Sequence, residues 1–149
     1  MSDEEKPIDI LLAEDSQTDA ELTMEALASG KIRNNVYHVW DGEEAMAFLR
    51  REGQFADAVR PDLVLLDLNM PKLDGRDVLK EMRADDSLKV IPVVVLTTSS
   101  QDKDILESYG LSANNYIVKP VDLTQFFSVI QNVQEFWLKV VKLPPKTSD

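Results

Sequence analysis

The chain has 149 residues, no cysteine, a single histidine (His38) and a formal charge of −11 from 16 basic and 27 acidic side chains. This length predicts one domain, and the composition excludes a disulfide framework, a thiolate metal site, a cysteine nucleophile and a metal site built from histidines. The acidic balance argues against a nucleic-acid-binding surface, which needs clustered Lys and Arg. In chain order, residues 8–13 form a short apolar run and 16–29 carry helix spacing, with Leu22, Ala26 and Leu27 on one side. A short run follows at 36–40, and then a helix over 43–51 with Ala45, Met46, Phe48 and Leu49 inward. The run at 63–67 is apolar until Asp67, and 75–84 is helical. Next come the Val-rich run 91–97, a weaker helix at 102–109, a short strand at 116–118 and a long helix over 123–140.

Strands alternating with helices predict a parallel sheet covered on both faces, and LVLL and PVVVL are the continuous apolar runs of doubly buried strands. The fold expected is α/β, a three-layer, doubly wound (βα)5 sandwich on a five-stranded parallel sheet. Asp41 with Glu44, and Asp122 with Gln125, have capping-box spacing. Asp74-Gly75 reads as a helix start or a turn, and Trp40 and Phe48 as core aromatics. Residues 1–7 read as a tail, 8–135 as the domain, and 136–149 as a helix extension with its own tail. The longest charge-free stretches are twelve residues, 90–101 and 123–134. A spanning helix needs about 18 apolar residues, and the acidic start MSDEEKPID lacks a signal-peptide core. A soluble, cytoplasmic protein without membrane or nucleic-acid partners is the expectation.

The functional signal lies in the polar residues that close the strands: Glu14-Asp15, Asp67, Thr97-Thr98 and Lys119-Pro120. Strand C-termini of an open parallel sheet share one edge, where ligands bind at the crevice of reversing strand order. Converging carboxylates repel unless a pKa rises or a cation binds, and an all-oxygen donor set favours a hard ion such as Mg2+. Carboxylate, divalent metal, ammonium and hydroxyl together suit a transferring phosphoryl group, which an aspartate can accept. Each residue also has a plainer role. Glu14-Asp15 can cap the first helix, with Asp15 or Ser16 as the capping residue. Thr97 can be a strand residue, Lys119 a solvated loop lysine and His38 a strand residue. A carboxylate closing LVLLD in a buried strand needs a partner, and the joint placement at four strand ends favours a site.

These residues resemble the receiver domain of two-component response regulators: Glu14-Asp15 after the first strand, DLVLLDLNMPKLDG over 62–75, Thr97 after PVVVL, and Lys119-Pro120. The likeness covers residues 8 to 135 and implies the flavodoxin-like strand order 2-1-3-4-5. It implies Asp67 as phosphoacceptor, with Mg2+ held by Asp15 directly, by Glu14 through water, by Asp67, and by the backbone carbonyl of Asn69. Lys119 is then the phosphoryl's ion-pair partner and Thr97 its hydroxyl donor; both are catalytic in this sense. The Lys119-Pro120 peptide is expected to be cis. NNVYHVWDGEEAMAFL, RREGQFADAVRPD and FWLKVVKLPP are further similar to the small stand-alone regulators serving cyanobacterial phytochrome histidine kinases. A light-regulated sensor histidine kinase is then the donor.

The resemblance further implies a switch, with Thr97 moving toward the phosphoryl oxygens and Tyr116 swinging inward. The face of the 102–109 helix, the 116–118 strand and the long last helix would be remodelled. That last helix carries Phe126, Ile130, Val133, Trp137 and Val140 at 4-3-4-3 spacing. Six of the eight residues 136–143 are apolar. Phe136, Trp137, Val140, Val141 and Leu143 therefore predict a homodimer or partner contact. Two rivals stand against this reading. A haloacid dehalogenase-type phosphatase needs an acid two residues after its nucleophile, where this chain has Asn69, so a turnover enzyme is disfavoured. A phosphorylation-independent interaction module with the same fold is the alternative.

Overall fold

Two pentapeptides form the middle of the sheet. LVLLD and VVVLT are buried at every residue, as strands covered on both faces must be. The computed structural model describes residues 7–30, 33–70, 72–97, 107, 110, 115–120 and 122–136. Within these, β1 (Ile8–Ala13), β2 (Asn34–Val39), β3 (Leu63–Asp67), β4 (Val93–Thr97) and β5 (Asn115–Val118) pair in parallel in the order β2-β1-β3-β4-β5. The helices are α1 (Gln17–Ala28), α2 (Gly42–Arg50), α3 (Gly75–Ala84) and α4 (Leu123–Phe136), with a short 3-10 turn at Gly53–Phe55. The expected fold and strand order are both found. The helix expected over 102–109 lies outside the described residues except for Glu107. Among the described residues no helix is long and apolar enough to cross a membrane.

Alternate strand residues face opposite layers. Leu11, Ala13, Val64, Leu66, Val93 and Val95 pack with Ala45, Met46 and Phe48 of α2 and with Val78, Leu79 and Met82 of α3. Ile10, Leu12, Leu63, Leu65, Val94 and Leu96 pack with Ala20, Ala26 and Leu27 of α1 and with Phe126 and Ile130 of α4. β1 therefore has β2 on one side and β3 on the other, and the reversal of winding opens a crevice at their C-terminal ends.

Local chemistry explains the helix starts. Ser16, not Asp15, caps α1: its Oγ accepts from the Asp19 N–H at 3.2 Å. Asp41 Oδ1 accepts from the Glu44 N–H at 2.8 Å, while Glu44 Oε1 reaches past the cap to the Trp40 N–H at 2.8 Å. Asp122 Oδ1 accepts from the N–H groups of Thr124 and Gln125. Asp74 is a helix start, in a reciprocal capping box with Asp77.

Three expectations are corrected. β2 starts at Asn34 and ends at Val39, so Trp40 lies past the strand. The residue is 43% exposed and its ring tilts over that of His38 at 4.2 Å, so it is not a core aromatic. β2 is an edge strand of the sheet, and the indole packs on the imidazole. Phe48 is buried as expected. No peptide bond among the described residues is cis, Lys119-Pro120 included. Trans is the isomer an X–Pro bond favours by about 0.5–1 kcal/mol.

Candidate functional site

The crevice is built from the ends of β1, β3 and β4 and the residue after β5. β3 ends in Asp67, which is only 3% exposed. Its Oδ1 accepts the Asn69 N–H at 3.0 Å, which folds the next two residues back over the strand end. α3 begins close behind: a Cβ on Gly75 would lie 2.5 Å from the Asp67 carbonyl oxygen, so only glycine fits there. β4 ends in Thr97, also buried, whose carbonyl accepts the Lys119 N–H at 2.7 Å. That bond extends the β4–β5 pairing by one residue and brings Lys119 to the crevice.

β1 runs directly into Glu14, which is fully buried. Glu14 N–H donates to the Val39 carbonyl at 3.1 Å. The His38 ring nitrogen Nε2 lies 2.8 Å from the Glu14 carbonyl; a carbonyl can only accept, so Nε2 carries the hydrogen. Glu14 Oε2 accepts from the Ser16 N–H at 3.2 Å, and Oε1 faces Lys119 Nζ at 2.7 Å. Both Glu14 oxygens are thus engaged. Asp15 is exposed, and because Ser16 serves as the cap, its carboxylate is left to the crevice.

Glu14, Asp15 and Asp67 each offer one carboxylate oxygen, all within 4.8 Å of one another. Lys119 Nζ lies 3.6 Å from Asp67 Oδ2. Burial, together with hydrogen bonding to and the charge of Glu14, pushes the Asp67 carboxyl up to about 7, against the pull of Lys119 and of the Asn69 N–H. Desolvation and the Asp67 charge raise Asp15 as well. Burial works to lower Lys119, but its hydrogen bond to Glu14, the charges of Asp67 and Glu14 and its bond to Asp19 outweigh it, and the ammonium is held above its ordinary value. Three oxygen donors that resist sharing negative charge, with no His or Cys among them, fit a hard divalent cation.

The residues expected at the site are brought together where they are described: Glu14, Asp15, Asp67, Asn69, Thr97 and Lys119. Tyr116 lies in β5 opposite Val95, with its side chain outside the described residues. Thr98 lies outside as well. Phe136 ends α4, its side chain outside the described residues, as are Trp137, Val140, Val141 and Leu143 entirely. Sequence reasoning missed Asp19, whose Oδ2 lies 3.0 Å from Lys119 Nζ. No local signal marked it: Asp15 precedes the Ser16 cap and lies outside α1, so helix spacing does not link it to Asp19.

The family profile of the response regulator receiver domain matches residues 10–131. The chain belongs to the response regulator receiver family. It is 46% identical over 145 residues to the response regulator Rcp1 of Synechocystis sp., covering 97% of this chain and 99% of that protein. Among solved structures, this receiver is similar to the phosphorylated cyanobacterial phytochrome response regulator RcpA, with a TM-score of 0.87 and 50% identity over 94% of this chain and 100% of that one. It is also similar to a Mn2+-bound form of Rcp1, with a TM-score of 0.86 and 45% identity over 93% of this chain and 100% of that one. The receiver is thus a signalling protein related to phytochrome response regulators.

Proposed function

We propose that this receiver accepts a phosphoryl group on Asp67 from the phosphohistidine of a sensor histidine kinase, and that the kinase is a phytochrome. The observation that carries this reading is the surroundings of Asp67. It is a nearly buried carboxylate at a strand end, with two further carboxylates and one ammonium converging on it. The relationship to RcpA supports a phytochrome donor.

In the transfer, an Asp67 carboxylate oxygen forms the new bond to phosphorus. The bond to the kinase imidazole breaks, and its electron pair returns to the ring nitrogen. Lys119 neutralises the phosphoryl oxygens and Thr97 donates its hydroxyl to one of them. Asp15, Asp67 and the Asn69 carbonyl would hold Mg2+ directly. Glu14 would hold it through water, which agrees with both its oxygens already being engaged. Bound there, the ion supplies screening between the attacking carboxylate and the phosphoryl oxygens. Asn69 cannot protonate a leaving group, so the receiver assists its own phosphorylation and dephosphorylation without turning over external phosphoesters.

The output proposed is a change in the face made of 102–109, β5 and α4, coupled through Thr97 and Tyr116, with a homodimer through residues 136–143. A phosphorylated cyanobacterial phytochrome kinase, mixed with the receiver and Mg2+, tests the donor. Label should leave the kinase and appear on the wild type. It should not appear on Asp67→Asn, or after chelation of the metal. Label retained on the kinase with an acceptor competent toward other donors would contradict the phytochrome assignment.

A further inference from the structure

Lys119 has one more partner than the proposed chemistry uses. Its Nζ lies 2.7 Å from Glu14 Oε1, 3.0 Å from Asp19 Oδ2 and 3.6 Å from Asp67 Oδ2. The ammonium is therefore closest to the two carboxylates that are not the acceptor. An ammonium has three donors, and Glu14 and Asp19 take two of them at hydrogen-bond distance. Glu14 is sealed in the interior and cannot leave. Asp19 sits in the first turn of α1 with its side chain 31% exposed, so it can turn to water when the ammonium moves. Its backbone is fixed at both ends, by Ser16 Oγ on its N–H and by the Thr23 hydroxyl on its carbonyl at 2.7 Å. The backbone is thus anchored, which keeps the carboxylate within reach of Lys119 Nζ, at 3.0 Å.

We infer that Asp19 is a positioning residue that holds the Lys119 ammonium back from Asp67 and thereby slows phosphoryl acceptance. The inference rests on the reading of Asp67 as acceptor. A phosphoryl group there adds about −1.5 to −2 charges. Asp19 competes with it for the same ammonium. Removing the Asp19 charge leaves Lys119, among the described residues, with the charges of Glu14 and Asp67. The proposal opposes what a merely structural role predicts. A first-turn acid stabilises its helix, so its loss on structural grounds would lower stability and could only reduce activity.

The experiment compares initial rates of phosphorylation from a small acyl phosphate with Mg2+ for wild type, Asp19→Asn, Asp19→Ala and Asp19→Glu. Asn and Ala should accept faster by roughly two- to fivefold, the worth of a partly exposed ion pair, and Glu should stay near the wild-type rate. In a Lys119→Met background, Asp19→Asn should bring no gain, because the brake acts through the ammonium. A crystal structure of metal-free Asp19→Asn should show Lys119 Nζ drawn from 3.6 Å to hydrogen-bond distance of Asp67 Oδ2. Unchanged or slower acceptance in both neutral variants, a gain that persists without Lys119, or an unmoved ammonium would overturn the inference. Wild type that takes no phosphoryl group, or Asp67→Asn that does, would instead sink the acceptor reading; the Lys119 displacement tests the inference separately.

Discussion

Lys119 Nζ and Glu14 Oε1 lie 2.7 Å apart across 105 residues of sequence, the ammonium side chain 8% exposed and the carboxylate wholly buried. This pair ties the end of β5 to the end of β1, the two sides of the crevice. Breaking a buried pair by removing one partner costs about 3–5 kcal/mol, because the other charge is left uncompensated. Lys119→Met should lose stability of that order at pH 8, read by urea denaturation, and less at pH 5, where the Asp67 carboxyl, raised to about 7, holds a proton. Equal loss at both pH values would show that the charge is not what the lysine supplies.

The raised Asp67 carboxyl has a thermodynamic consequence for the metal-free protein. Its folded-state value of about 7 lies above the ordinary 3.8. Between those values the folded state holds a proton that the unfolded state has released. Its stability therefore falls as pH rises from about 4 to about 7 and levels off above. Asp67→Asn removes this dependence and should be more stable than wild type at pH 8, by about 1–3 kcal/mol. Excess Mg2+ should close the gap, since an ion that binds only the folded wild type at 100 times its Kd adds about 2.7 kcal/mol. Denaturant titrations across pH, with and without Mg2+, check both points.

Gly75 lets α3 start against the carbonyl of Asp67, where an added Cβ would also come within 2.6 Å of the Leu68 Cα. Both neighbours are backbone and cannot turn aside. Gly75→Ala should destabilise by roughly 1–3 kcal/mol and weaken Mn2+ affinity, because the Asn69 turn must shift with the strand end. Calorimetry with Mn2+ reads the second effect, and unaltered affinity would show that the turn is set independently of α3.

The apolar cluster at 136–143 predicts self-association. Sedimentation of the wild type at tens of micromolar should show a dimer, and Trp137→Asp with Val141→Asp should be monomeric and still accept phosphoryl groups. A monomeric wild type would end the dimer proposal.

The central strands could be read from the sequence because doubly buried strands leave little choice of residue: LVLLD and VVVLT allow no polar side chain until the edge that carries function. Their order in the sheet came from the family resemblance, since apolar runs do not say which strands are neighbours. The convergence of Glu14, Asp15, Asp67, Thr97 and Lys119 followed from parallel topology alone. Ser16 and Asp15 were interchangeable as caps on local grounds. The bond from the Asp19 N–H to Ser16 Oγ separates their roles. The Asp19–Lys119 contact depends on how far the turn after β1 carries α1 toward β5, a tertiary distance that no local pattern encodes. Trp40 misled because an indole reads as core by composition, whereas its place just past an edge strand leaves it 43% exposed.

Asp67 as the acceptor is the claim on which the others rest, and intact mass after incubation with Mg2+ and a small acyl phosphate tests it most directly. The wild type should gain one phosphoryl group, and Asp67→Asn none. An equal adduct on Asp67→Asn, or none on the wild type from a donor that phosphorylates a control receiver, would contradict it.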